Sequence, residues 1–305
     1  MTKPPVVAIV GPTGVGKTAL SLALAERFPV EIVSVDSRQV YRGMDIGTAK
    51  PTPEERACVP HHLIDVVEPT EEFSLAAFLE LARAAIAEIH AKGRLPLLVG
   101  GTGQYLWALL EAWRVPAVAP DVPYRQQLAK LAPEMVRSRL VEVDPRAADA
   151  IDPHNVRRLI RALEVHHVTG VAWSEMQRRG PEPYRALVIG LTLPRERLYQ
   201  HIDQRVERMV QRGWVGEVRR LLASGVTAGH PSMASVGYRE LATYLAGDVA
   251  LEEAIRNIKT GTHRFARHQY AWFRLSDARI RWLEAGDHVG AQATDMVAGF
   301  LAEKG

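Results

Sequence analysis

Cysteine is almost missing from this chain: Cys58 is the single one in 305 residues. That excludes an internal disulfide and any zinc finger built on several cysteines, and it fits a cytoplasmic, reducing compartment as the expectation. No run of about 18 uncharged apolar residues occurs, so no membrane-spanning helix is expected. The opening Met1-Thr-Lys-Pro-Pro leads straight into an apolar segment and lacks a leader pattern, so no secretory signal is expected. Strong charge bias is lacking too. The 38 basic and 35 acidic residues leave a net charge of +3 and a pI of about 9.0. That balance permits a nucleic-acid partner without arguing for one, because where cations lie matters more than their sum. There is no internal repeat and no low-complexity tract. What remains is an ordinary globular composition, 47% hydrophobic and 24% charged, enough for one large or two modest domains.

The apolar runs are short and regularly spaced. Val6-Val-Ala-Ile-Val10 predicts a buried parallel strand ending in a glycine loop, and Thr18 to Arg27 predicts a helix after it. Further strands are predicted at Glu31–Val35, Leu63–Val67, Leu95–Val99 and Ala186–Leu193. Ser74 is a good N-cap for an amphipathic helix from Leu75 to Ala91, and Gly93 suits its end. Strands alternating with helices of this length indicate an α/β domain with a parallel sheet. Between Val115 and Tyr184 the pattern changes to prolines and then Arg-rich helical segments without a clear strand. We read residues 115–184 as a helical insertion into a core made of 1–114 and 185–305, with mostly helical sequence from Arg195 through the long run Ala250–Leu275.

Gly11-Pro12-Thr13-Gly14-Val15-Gly16-Lys17-Thr18 satisfies G-x-x-x-x-G-K-[ST] in full, between a strand and a helix as the mechanism requires. The glycines let backbone N–H groups converge on phosphate oxygens, and the helix N-terminus adds the positive end of its dipole. Lys17 brings a point charge and Thr18 is a candidate Mg²⁺ ligand. The fold class expected is therefore a P-loop NTPase-like parallel sheet core with a helical insertion and a helical C-terminal region. The loop specifies a diphosphate or triphosphate and leaves the reaction open. No Asn-Lys-x-Asp motif for guanine is present, and Leu95–Val99 ends in Gly100-Gly101 instead of an acid.

Ser34-Val-Asp36-Ser37-Arg38-Gln39 continues into Tyr41-Arg-Gly-Met-Asp-Ile-Gly-Thr-Ala-Lys50. Leu97-Leu-Val-Gly-Gly-Thr102-Gly, Val236-Gly237-Tyr238-Arg239 and the basic-aromatic run His263 to Arg274 follow in order. Together these segments closely resemble the signature of the bacterial tRNA dimethylallyltransferases, over residues 6 to about 275. The single cysteine is similar to the bacterial form, since eukaryotic relatives often carry a C-terminal zinc finger. The resemblance implies transfer of a dimethylallyl group from dimethylallyl diphosphate, with Mg²⁺, to the exocyclic amine of the adenosine beside the tRNA anticodon; a monomer is expected, although the sequence itself does not give the oligomeric state. It assigns Asp36 as general base and Thr102 and Arg205 as further catalytic residues, Arg205 beside the diphosphate. It places tRNA at Asp36, Ser37, Arg38, Gln39 and Thr102. More tRNA contacts are implied at Arg125, Arg157, Arg158, Leu159, Ile160, Arg161, Gly237, Tyr238, Arg239, Arg264 and Arg267.

The chemistry agrees with these residue types. An adenine amine must lose a proton as its nitrogen bonds carbon, and a carboxylate at a strand tip can take it. The departing diphosphate gains charge that fixed cations stabilise. Other readings stand beside these: Asp36 as a Mg²⁺-water ligand, Thr102 as a helix cap, Arg205 as a helix-surface ion pair, and the final arginines as a solvated face over core aromatics. A small-metabolite kinase shares the loop and Mg²⁺ but does not need the basic insertion. A non-catalytic RNA-binding regulator does not need Asp36. His61-His62 and His166-His167 lack the acids or cysteines that a metal site needs, so they are expected to be structural or surface residues.

Overall fold

The computed structural model describes residues 3–116, 118–176 and 179–303. Met1 and Thr2 of the opening segment, Ala117, Gln177 and Arg178 of the insertion, Lys304 and Gly305 lie outside the described residues. The chain forms two compact units, Met1–Leu110 with Pro183–Gly305, and Glu111–Glu182.

The first unit begins with β1 (Pro5–Val10), α1 (Lys17–Ala25), β2 (Val30–Ser34), α2 (Pro53–Cys58), β3 (His61–His62), α3 (Leu75–Ala91), β4 (Leu95–Val99) and α4 (Gly103–Leu110). The second unit holds α5 (Val122–Ala129), α6 (Pro133–Val143), α7 (Pro145–Ala150), α8 (Val156–Thr169) and α9 (Trp173–Met176). The chain then returns with β5 (Arg185–Thr192), α10 (Arg195–Gln211), α11 (Trp214–Ala223), α12 (Tyr238–Leu245), α13 (Leu251–Trp272), β6 (Ile280–Glu284) and α14 (Val289–Ala302).

The six strands are all parallel, in the order β3-β2-β4-β1-β5-β6. Val6 to Val10 of the central β1 are buried, each aliphatic side chain contributing about 1.5–3 kcal/mol. The chain runs from β1 outward to β2 and β3 on one side, then through β4 to β5 and β6 on the other. The crevice beyond the carboxyl ends of β1 and β4 is thus the switch point where ligands settle on such sheets. The Ser74 hydroxyl accepts from the Ala77 N–H at 3.1 Å, and Gly93, at φ +67°, ends α3 in the left-handed region. The second unit packs its own core around Leu128, Leu140, Leu159 and Leu163.

Two expectations need correction. Leu63–Val67 is not a strand: Leu63 and Asp65 take φ of 61° and 58°, and only His61–His62 pairs with β2. The reason is tertiary, since Asp65 turns out of line to hold Lys50 and Arg56. The sheet also gains β6, which the Ile280-Arg-Trp-Leu-Glu pattern hid because only one edge of it pairs and only Ile280 and Leu283 are buried.

Candidate active site

Parallel strands deliver their carboxyl ends to one side, and three of those ends build the site. β1 leads into the phosphate loop, where Gly11, Gly14 and Gly16 take φ of 137°, 81° and 102°. A Cβ on Gly11 would stand 2.4 Å from the Leu191 carbonyl oxygen, so the tight exit from β1 needs glycine. Val15 is pinned in the core at 2% exposure. β2 leads into Asp36-Ser-Arg-Gln39, and β4 into Gly100-Gly101-Thr102. A Cβ on Gly100 would come within 2.0 Å of the Val35 carbonyl oxygen, so a side chain there would push the β4 tip away from β2.

These ends line one cavity of about 550 Å³ together with α10 and α13. Lys17, Thr18, Asp36 and Arg205 all face it. The Lys17 Nζ donates to the carbonyls of Gly11 at 3.0 Å and Pro12 at 2.9 Å, folded back on its own loop. Burial, with Arg205 adding repulsion, lowers its pKa from 10.5 to about 8 against the attraction of Asp36. Arg205 is lowered for the same first reason, burial, with Asp36 opposing and Arg208 reinforcing. Two cations and one carboxylate therefore sense one another across the cavity. The Asp36 Oδ1 accepts from the Arg38 N–H at 2.8 Å, which fixes the carboxyl at the strand tip.

Thr102 does not cap α4 with its side chain. Its hydroxyl accepts from the Ser37 N–H at 3.1 Å, tying the β4 turn to the Asp36 segment, while its carbonyl accepts from Leu106 at 3.2 Å. The Gln39 amide is engaged internally: its Nε2 donates to the carbonyls of Ala49 at 3.2 Å and Thr48 at 3.4 Å, and its Oε1 accepts from Ser34 at 2.9 Å. Arg38 donates to the Pro231 carbonyl at 3.0 Å.

A residue that sequence reasoning missed is Gln269 on α13. Its Oε1 accepts from the Thr13 N–H at 2.7 Å and its Nε2 donates to the Gly101 carbonyl at 3.0 Å, so one buried amide joins two of the three loops. The only signal was its place in the basic-aromatic run, where it looked like one polar residue among many.

The expected RNA-contact residues lie in different settings. Tyr238 is fully buried and donates to Glu217 at 2.7 Å, so it acts inside the protein. Gly237 is buried against the Trp214 ring at the start of α12. Leu159 and Ile160 are core residues of the second unit. Arg125 and Arg161 both clamp the buried Glu164, Arg125 through Nε at 2.7 Å and Nη2 at 3.0 Å. By contrast Arg157, Arg239, Arg264 and Arg267 are exposed, and Arg158 lies over the Trp173 ring at 5.7 Å. Of Phe265, Trp272 and Phe273, for which a core role is the alternative reading, only Phe273, just past the end of α13, is buried; Phe265 and Trp272 are 42% and 43% exposed. His62 bonds Glu31 at 2.7 Å and His167 stacks on Tyr124, and no metal-holding cluster of His, Cys, Asp or Glu occurs among the described residues.

A family model described as IPP transferase matches residues 39–276, and one described as Isopentenyl transferase matches residues 4–64. The tRNA dimethylallyltransferase of Roseiflexus sp. (strain RS-1) is 58% identical over 274 residues, covering 88% of this chain and 90% of its own. That of Dehalococcoides mccartyi is 45% identical over 305 residues, covering 99% and 94%. Among solved structures, the tRNA isopentenylpyrophosphate transferase of Bacillus halodurans is 43% identical with a TM-score of 0.75, over 99% of this chain and 98% of that one. A eukaryotic dimethylallyltransferase acting on tRNA reaches a TM-score of 0.86 at 29% identity, over 99% of this chain and 80% of its own. A phosphate loop at the sheet's switch point, a carboxylate opposite it, and matches running nearly end to end lead to one conclusion: the chain belongs to the IPP transferase family.

Proposed function

We propose that this protein transfers the dimethylallyl group of dimethylallyl diphosphate to the exocyclic N6 of an adenosine in tRNA, the one beside the anticodon. The observation that carries the reading is the cavity holding Lys17, Arg205 and Asp36 together, cations for a leaving diphosphate and a carboxylate for a departing proton. The diphosphate lies on the backbone N–H groups of the phosphate loop. Lys17 leaves the Gly11 and Pro12 carbonyls for a phosphate oxygen, and Arg205 faces it from α10. N6 bonds to the allylic carbon as the carbon–oxygen bond breaks. The electron pair leaves with the diphosphate, and the N6 proton passes to Asp36.

The donor set suits Mg²⁺, an ion that keeps several waters and takes phosphate oxygens plus few protein ligands. The Thr18 hydroxyl, which lines the cavity from the first turn of α1, would hold it, and the bound ion would neutralise charge on the leaving diphosphate. The active unit in this reading is a monomer. The exposed cations Arg157, Arg158, Arg239, Arg264 and Arg267, with exposed Phe265 and Trp272, supply phosphate contact and stacking for an anticodon loop whose target base must be turned out.

The test is transfer from labelled dimethylallyl diphosphate to unmodified tRNA with Mg²⁺, beside Asp36→Ala and beside a reaction with ATP. Label on the adenosine next to the anticodon, lost in the variant, is the expected result. ATP consumed on a small acceptor, with no label in tRNA, would sink the reading.

A further inference from the structure

Two of the sequence signatures have no part in the chemistry so far: Gly43-Met-Asp-Ile-Gly-Thr-Ala-Lys50 and Val236-Gly-Tyr-Arg239. They meet at Glu217 on α11. Its Oε2 accepts from the N–H groups of Asp45 at 2.9 Å and Ile46 at 2.7 Å. Its Oε1 accepts from the Gly47 N–H at 3.2 Å and the Tyr238 hydroxyl at 2.7 Å. The carboxylate is 2% exposed, and Tyr238 not at all. Burial first, then the Glu217 charge, keeps the Tyr238 proton in place. The Trp214 ring is wedged into the same knot. A Cβ on Gly47 would lie 2.2 Å from its Nε1, and one on Gly237 2.1 Å from its Cη2.

A buried carboxylate with four donors is an expensive device for holding a mere surface loop, since each lost partner leaves polar groups stranded. What the loop presents explains it. Gly47, Thr48 and Ala49 line the active cavity, and the Thr48 and Ala49 carbonyls accept from Gln39, whose segment also carries Asp36. Lys50, buried, closes the loop's far end on Asp45, Asp65 and the Tyr41 carbonyl.

We infer that Glu217, with Tyr238, is a positioning residue for the transfer step: it sets the cavity wall 47–49 and, through Gln39, the strand tip that carries the base. The inference rests on the transferase reading above. The hydrogen bonds of Glu217 run to the 45–47 backbone and Tyr238, not to the phosphate loop or Lys17, so its influence is expected on turnover more than on diphosphate capture.

Glu217→Gln retains the side chain's shape but gives it one acceptor oxygen in place of two. Tyr238→Phe removes a single bond and leaves the three N–H partners. Both variants and the wild type are assayed at a temperature where circular dichroism shows all of them folded. The expected result is a kcat lowered about tenfold to hundredfold in Glu217→Gln and less in Tyr238→Phe. The Kd for dimethylallyl diphosphate should stay unchanged and the amides of 45–49 should exchange faster. Wild-type kcat in both variants, or a diphosphate affinity that falls in step with kcat, overturns the inference. If Glu217→Gln does not fold, the same criteria apply to Tyr238→Phe. A wild type that transfers nothing fails the transferase reading instead, while faster exchange at 45–49 without loss of diphosphate affinity still reports the loop's dependence on Glu217.

Discussion

A lysine in a phosphate loop is ordinarily taken as a fixed positive charge, but Lys17 is not one across the whole working pH range. Burial, more than the nearby Arg205, brings its pKa down to about 8. Bound diphosphate restores the reason to be charged, so above pH 8 binding must take up a proton. Dimethylallyl diphosphate affinity should therefore be flat below pH 8 and weaken by up to about tenfold per pH unit above it. Calorimetry in buffers of different ionisation enthalpy should show proton uptake there, and Lys17→Arg should abolish it. A pH-independent affinity from 7 to 10 would contradict a desolvated lysine with a depressed pKa. The stability consequence has a definite sign. Between about 8 and the ordinary 10.5 the unfolded chain holds more protons at this position, so stability from this group rises with pH across that window.

Helices of the second unit are joined by one acid. Glu164 of α8, fully buried, accepts from the Asp121 N–H at 2.7 Å at the start of α5 and pairs with Arg125 and Arg161. Burial by itself would raise its pKa; the hydrogen bonds from Arg125, Arg161 and Asp121 outweigh that and hold it below the usual 4.5. A depressed carboxylate contributes stability above its unfolded pKa and loses it as pH falls through the folded value, so this unit should loosen in acid below about pH 4.5. Because the two arginine side chains remain 36% and 30% exposed, Glu164→Gln should cost about 2 kcal/mol, less than a fully buried pair. Denaturant unfolding followed by a probe in the second unit checks this, with diphosphate affinity expected to stay at the wild-type value.

At the scale of the whole chain, the two units have separate cores. The second unit's ends run side by side, since the Gly180 N–H donates to the Ala112 carbonyl at 3.0 Å and Trp113 bridges Arg179. A short linker can therefore replace residues 111–182 without stretching the chain between them. Such a protein should bind dimethylallyl diphosphate as the wild type does and lose tRNA binding. Equal loss of both would mean that the helical unit does not act as the tRNA-binding part.

Local physics was enough for part of this. The phosphate loop was legible because glycine conformations, a lysine and a strand-to-helix turn are all encoded within eight residues, Gly11 to Thr18. The α3 boundaries were legible because Ser74 and Gly93 act on their own neighbours. The likeness of Asp36, Thr102 and Arg205 to a family pattern named the residues but not what holds them. Only the tertiary structure decided that Leu63–Val67 bends away from the sheet, that Tyr238 is buried against Glu217, that Gln39 bonds the Thr48 and Ala49 carbonyls, and that Gln269 and Glu217 tie loops far apart in sequence. The physical reason is that a hydrogen bond across 170 residues, such as Gly47 to Glu217, leaves no periodicity or spacing in the chain and exists only once both partners are buried together.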